Sequence, residues 1–167
     1  MTRWYPLEEV DSTLFSSAQQ ILRYPIRLPV APARVWESLS SDASVSAWGP
    51  FVRKVVWTTP RPFGVGTTRE VTLPLGSVTV REKFFRWDES RGYSFYATSA
   101  NRPGLRRFAE DYLLEPDGDG TLFTWTVAID PQPRLERVFP LTKPLNRLAF
   151  GSLVAGAKRH FAQQPPG

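Results

Sequence analysis

The chain contains no cysteine. Disulfides, thiolate nucleophiles and cysteine-ligated metals are excluded together. Histidine is nearly as scarce: His160 is the single one, so a histidine-rich metal site is excluded and no metal is expected. Long apolar runs are missing too. No stretch approaches the roughly 20 residues that a bilayer-spanning helix needs. The opening Met-Thr-Arg-Trp-Tyr-Pro-Leu-Glu-Glu has no signal-peptide core, so the expected location is the cytoplasm. Runs of like charge are also lacking. The 21 Lys and Arg against 16 Asp and Glu leave a net charge of +5, yet the cations are dispersed, Arg102, Arg106 and Arg107 being the tightest group. The aromatics alternate inside strand-like segments rather than lying along a basic stripe, so no nucleic acid is expected as a partner. No Gly-Lys-Ser or Gly-Lys-Thr follows the Gly-containing loop Thr59 to Gly66, which argues against a phosphate cradle, and no dinucleotide loop is present; no cofactor is expected.

What is present is enough apolar matter for a core. With 167 residues, 41% of them hydrophobic and 13% aromatic, one domain can bury a substantial interior. The clearest helical pattern runs from Pro144 to Gln163. On a helical wheel Leu145, Ala149, Phe150, Leu153, Val154, Gly156, Ala157 and Phe161 share one broad face, and Arg147, Lys158 and Arg159 take the other. Pro144 suits the first turn, where an N–H has no partner inside the helix, and the Pro-Pro-Gly tail ends it.

Upstream the period is mostly two. Residues 1–18 hold Trp4, Tyr5, Leu7, Val10, Leu14 and Phe15, too apolar for a free tail, and are expected to pack on the body as an arm. Gln19 to Val30 alternates as a strand, and Pro25 within it lacks a ladder donor, which confines the strand to an edge or a bulge. Pro32 to Leu39 predicts a short helix, and a second follows with Asp42 as its cap and Gly49-Pro50 as its stop. Further strands are expected over Val52 to Thr59, Thr67 to Pro74, Ser77 to Trp87, Tyr93 to Ala100, Leu105 to Glu115 and Thr121 to Asp130. Turn signals separate them, including Pro74-Leu75-Gly76 and Pro116 to Gly120. Short turns between consecutive strands dictate an antiparallel meander. Arg134 to Phe139 suits one more turn of helix.

The order is strand, two short helices, six strands, long helix. With Pro29-Val-Ala-Pro-Ala-Arg-Val-Trp-Glu-Ser-Leu39, the turn Trp48 to Phe51, Pro62-Phe63-Gly64-Val65-Gly66-Thr67-Thr68, Arg81-Glu82-Lys83-Phe84 and Phe108-Ala109-Glu110-Asp111-Tyr112, the chain resembles the helix-grip fold of the START-like (SRPBCC) superfamily. That superfamily includes the birch-pollen allergen family, polyketide cyclase and dehydratase-like proteins, and lipid-transfer domains. The resemblance implies an α+β domain over residues 19–163: a seven-stranded curved antiparallel sheet wrapped around a long C-terminal helix, with 164–167 as a tail. It also implies a cavity between helix and sheet in which apolar or amphipathic molecules bind.

Alternation assigns the inward side chains, because successive strand residues point to opposite faces. Phe108, Glu110, Tyr112 and Leu114 form one inner set; Val78, Val80, Glu82 and Phe84 another; Arg69 joins Val71 and Leu73. Tyr93 and Phe95, and Phe123, Trp125, Val127 and Ile129, complete an aromatic-lined cup, to which the helix adds Asn146, Phe150 and His160. The expected ligand-binding residues are therefore Arg69, Glu82, Phe84, Tyr93, Phe95, Glu110, Tyr112, Trp125, Asn146, Phe150 and His160. Ions in an apolar cavity are costly unless paired, so Arg69 is expected to pair with Glu82 or Glu110. Two carboxylates then share one strong cation, and one of them should have a raised pKa, the condition for a general acid or base near neutrality. Glu82, Glu110 and His160 are the catalytic candidates. The first expectation is a protein that binds a small hydrophobic or amphipathic ligand such as a lipid or polyketide. The alternative is an enzyme of polyketide cyclase or dehydratase type using an inward Glu, and the third is an interaction protein whose interior is filled by its own rings.

Overall fold

The structure, a computed structural model, describes residues 2–73 and 78–164. The turn expected at Pro74-Leu75-Gly76, the strand start at Ser77 and the Pro-Pro-Gly tail lie outside the described residues. In chain order the elements are β1 (Tyr5–Pro6), α1 (Leu14–Ser17), β2 (Gln20–Leu28), α2 (Pro32–Leu39), a 3₁₀ turn (Ser44–Trp48), β3 (Lys54–Trp57), β4 (Thr68–Thr72), β5 (Thr79–Asp88), β6 (Gly92–Ala100), β7 (Leu105–Asp117) and β8 (Gly120–Pro131). Two further 3₁₀ turns (Pro133–Leu135 and Phe139–Thr142) lead into α3 (Lys143–Ala162).

The strands form one antiparallel sheet in the order β2-β8-β7-β6-β5-β4-β3, with β1 added to β6. Pro25 sits on β2 at the sheet's edge, where its missing N–H breaks no inner ladder. The seven expected strands are present, and among the described residues a short eighth, β1, joins them. The β6–β7 ladder stops at Tyr96 and Ala109, and β1 takes up the freed stretch of β6 by pairing Tyr5 with Ala100 and Pro6 with Ser99. The arm then bridges the gap, Leu7 N donating to Thr98 O at 3.0 Å and Glu8 N to Arg106 O at 2.9 Å. A two-residue strand containing a proline carries no alternation to be read. Further along, Leu14 is buried on the outer face beside Tyr96, Ala109 and Ala128.

Two register shifts bend β5 against β6. One falls between Arg81 and Glu82, the other between Phe84 and Arg86. The first brings Ala97 and Ala100 of β6 to the same concave side; the second lets Phe85 pack outside and returns Trp87 to the inside against Trp36 at 5.2 Å. The expected loop Pro116 to Gly120 is tighter than the sequence suggests. Pro116 still pairs with Thr121 and Asp117 with Gly120, so only Gly118 and Asp119 turn the chain, Gly118 at φ +60. Asp42 does not cap the second short helix. Its carboxylate binds Arg61 at 2.8 Å, and Ser41 Oγ instead takes the backbone N–H of Ser44 at 3.0 Å.

The long helix crosses the concave face and is pinned at its C-terminal half. Gly156 lies so close to the 3₁₀ turn that a Cβ there would stand 2.1 Å from Trp48 O. Trp48 in turn packs edge-on against Phe123 and Phe161, at 5.8 and 5.7 Å. The N-terminal half of α3 meets the sheet at its β2 edge, where Asn146 Nδ2 donates to Gln20 Oε1 at 2.7 Å and Tyr24 OH to Arg147 O at 3.4 Å.

Candidate functional site

Between the N-terminal half of α3 and the concave face of the sheet lies a cavity of about 490 Å³. Its walls are apolar: Val71, Val80, Phe108, Trp125, Ile129 and Leu153 are among them. Small side chains leave the space open, with Ala97 and Ala100 on β6 facing Ala149 on α3. The rings therefore do not fill the interior, contrary to the third expectation.

The polar groups come from neighbouring strands. Arg69 and Glu82 are directly opposite in the β4–β5 ladder, and Arg69 Nε donates to Glu82 Oε2 at 2.6 Å. Arg69 Nη1 donates to Ser44 Oγ at 3.0 Å, and Ser44 Oγ donates to Leu39 O at 2.8 Å. The guanidinium is also boxed by rings, with Trp57, Phe84, Tyr93 and Phe95 centroids at 5.3, 5.0, 5.8 and 4.7 Å. Burial works to lower the Arg69 pKa, but the Glu82 charge overcomes it and the net direction is up, so Arg69 stays charged. Burial pushes the Glu82 carboxyl up, and Arg69 pulls it back only in part.

Glu110 on β7 is held differently. Its Oε2 accepts from Tyr112 OH at 2.8 Å and from Trp125 Nε1 at 2.9 Å. Among the described residues nothing bonds its Oε1, although Glu110 lines the cavity. Burial, reinforced by the nearby Glu82 charge, pushes this carboxyl up to about 8. At neutral pH Glu110 is thus mainly a carboxylic acid. With Oε2 accepting two bonds, its proton belongs on Oε1, the oxygen free to donate into the cavity.

Arg69, Glu82, Phe95, Glu110, Tyr112, Trp125, Asn146 and Phe150 all border the cavity. Asn146 spends its amide on Gln20 Oε1 at 2.7 Å and Thr142 Oγ1 at 3.2 Å. Three expected residues do not border it. Phe84 and Tyr93 lie in the ring cluster behind Arg69, 4.9 Å apart, and among the described residues the buried Tyr93 hydroxyl has no hydrogen-bond partner. His160 faces Phe161 edge-on at 4.9 Å and pairs with Gln164 at 3.1 Å. The reason is distance along the helix: the lining ends at Leu153, about 10 Å short of His160 at the helical rise. Burial lowers the His160 pKa. Leu7, Ala97, Ala100 and Thr142 line the cavity without having been singled out by sequence. Alanines give alternation no signal, and a bulge hides the register that turns Ala100 inward.

A curved antiparallel sheet gripping one long helix over such a hollow defines a START-like, helix-grip protein. The chain belongs to the polyketide cyclase / dehydrase and lipid transport family, whose sequence pattern matches residues 19–163. It is 28% identical over 156 residues to an uncharacterized protein of Mycobacterium tuberculosis, covering 93% of either chain. Among solved structures it is similar to the Thermus thermophilus protein TTHA0849, with a TM-score of 0.70 at 18% identity over 87% of this chain and 100% of that one. It is also similar to the major latex-like protein 151 of Panax ginseng, with a TM-score of 0.66 at 10% identity over 88% of this chain and 98% of that one. At these identities the two structures establish the shared fold.

Proposed function

We propose that the chain binds a small hydrophobic or amphipathic molecule, of lipid or polyketide type, in the cavity beneath α3. The apolar body would lie along Val80, Phe108, Trp125 and Leu153, and the polar end would meet Glu110. The observation that carries this reading is Glu110 Oε1, without a hydrogen-bond partner among the described residues, in a mainly apolar hollow of about 490 Å³ whose other charged groups, Arg69 and Glu82, are paired with each other. Arg69 is already matched by Glu82, so a ligand carboxylate would find no unpaired cation there. A neutral carbonyl or hydroxyl suits the site better. The cytoplasm is the location this reading assumes; among the described residues no helix is long and apolar enough to cross a membrane. Native mass spectrometry of gently purified protein, combined with thermal shift across lipids and aromatic polyketides, tests it. A bound small molecule or a clear stabilisation is expected, and absence of both contradicts it.

One observation favours a second reading, an enzyme of polyketide cyclase or dehydratase type. A carboxyl with a pKa of about 8 is a general acid at neutral pH. Under that reading Glu110→Gln abolishes turnover and keeps binding, because the amide can still donate into the cavity. His160, set apart from the hollow, would have no part in it.

A further inference from the structure

The 3₁₀ turn Phe139–Thr142 and the N-terminal half of α3 that follows it turn a row of large apolar side chains outward. Leu141, Leu145 and Leu148 recur at helical spacing and are 80%, 67% and 74% exposed, and Val138 just before them is 53% exposed. A protein surface rarely concentrates such residues without a use. The charge is concentrated in the same place. Residues 132–164 hold six Lys and Arg (Arg134, Arg137, Lys143, Arg147, Lys158 and Arg159) against Glu136 alone, a net of +5. The remainder of the chain then has 15 basic and 15 acidic residues, so the whole excess of positive charge resides in this segment. Among the described residues no ion pair takes up Arg137, Lys143, Arg147, Lys158 or Arg159. Lys143 and Arg147 flank the leucine row and are exposed.

We infer that this face docks on the surface of an anionic lipid bilayer. An amphipathic helix with apolar residues on one side and cations beside them lies in the interfacial plane, its leucines in the acyl boundary and its cations at the headgroups. Leu145 links the surface to the interior. It is both exposed and part of the cavity wall, so the cavity reaches the outside at the docking face. An apolar molecule leaving the bilayer there would enter the hollow without crossing bulk water. Neither a neutral surface nor a basic one matches the segment's charge. An acidic protein would match it, but the leucine row at the cavity opening favours the bilayer, which alone offers both an acyl layer and negative charge.

Vesicle sedimentation tests this with the full chain, using phosphatidylcholine vesicles with and without phosphatidylglycerol. Binding is expected with the charged vesicles, to weaken in high salt, and to be marginal with pure phosphatidylcholine. Lys143→Gln/Arg147→Gln should weaken it by about fivefold for each cation removed. Leu141→Ser/Leu148→Ser should weaken it roughly tenfold or more, since both leucines lose their burial in the bilayer. Neither pair lines the cavity, and all four residues are exposed, so both variants should keep the native circular dichroism spectrum. No binding to charged vesicles, or binding that neither variant weakens, overturns the inference. So does light scattering that finds a dimer which Leu141→Ser/Leu148→Ser converts to monomer, because a second copy then covers the leucines. The assay reads the surface and not the cavity, so its failure would leave the ligand reading standing.

Discussion

Tyr112 donates its hydroxyl to Glu110 at 2.8 Å from two positions along the same strand. Side chains two apart on a strand share a face, so β7 alone delivers both groups to the cavity. Tyr112→Phe removes one of the two donors to Glu110 Oε2. The Glu110 pKa should rise further, because that bond favours the charged form. Stability should fall by about 1 kcal/mol in urea unfolding, the usual worth of such a bond. Unchanged stability would mean that the bond is not held in solution.

Glu110 also makes stability depend on pH, and the sign is determined. The folded carboxyl titrates at about 8 against an ordinary 4.5, so between those values the folded chain keeps a proton that the unfolded chain has lost. Stability therefore falls as pH rises through this window, by up to about 1.4 kcal/mol per pH unit. The upward shift of the neighbouring Glu82 acts with the same sign, and Arg69 stays charged throughout. Glu110→Gln should flatten the profile, as measured by urea unfolding from pH 5 upward. A profile as steep in the variant as in the parent would contradict the assignment.

Arg69 and Glu82 are a buried pair whose halves cannot be removed singly without penalty. Arg69→Met leaves a carboxylate 5% exposed with no cation, and should cost about 3–5 kcal/mol. Arg69→Met/Glu82→Leu should recover most of that loss. Recovery is the informative outcome, since it separates the cost of an orphaned charge from the worth of the pair.

The two glycines of α3 that precede its last turns should respond oppositely to alanine. Gly156→Ala drives a Cβ to 2.1 Å from Trp48 O, a backbone atom, and should destabilise by roughly 1–3 kcal/mol as helix and turn are pushed apart. Gly151→Ala meets nothing within 4 Å and should stabilise by about 0.5–1 kcal/mol through helix propensity. Thermal unfolding of both variants checks the contrast.

Much of this architecture was readable because most strands have one dry face. Alternation put Arg69, Glu82, Glu110, Tyr112 and Trp125 on the concave side, where they border the hollow. Local pattern could not supply what depends on two segments meeting. The β6 bulge that turns Ala100 inward, the two-residue β1 that closes the gap beside β6, and the loss of Asp42 as a cap to Arg61 all depend on partners distant in sequence. The helix wheel gave His160 the right side of α3 but not the right height. Counting cations over the whole chain made them look dispersed, whereas their net excess lies in the segment that carries α3.

The most direct test of the account is whether the hollow under α3 takes up an apolar guest. Ala149 lines it from the helix, so Ala149→Trp should fill it from within. Titration with the neutral fluorescent probe N-phenyl-1-naphthylamine should show one saturable site per chain. In Ala149→Trp that site should weaken at least tenfold, a loss of roughly 1.4 kcal/mol or more, while the unfolding temperature holds or rises. Equal binding by parent and variant, or no saturable binding by either, would contradict it.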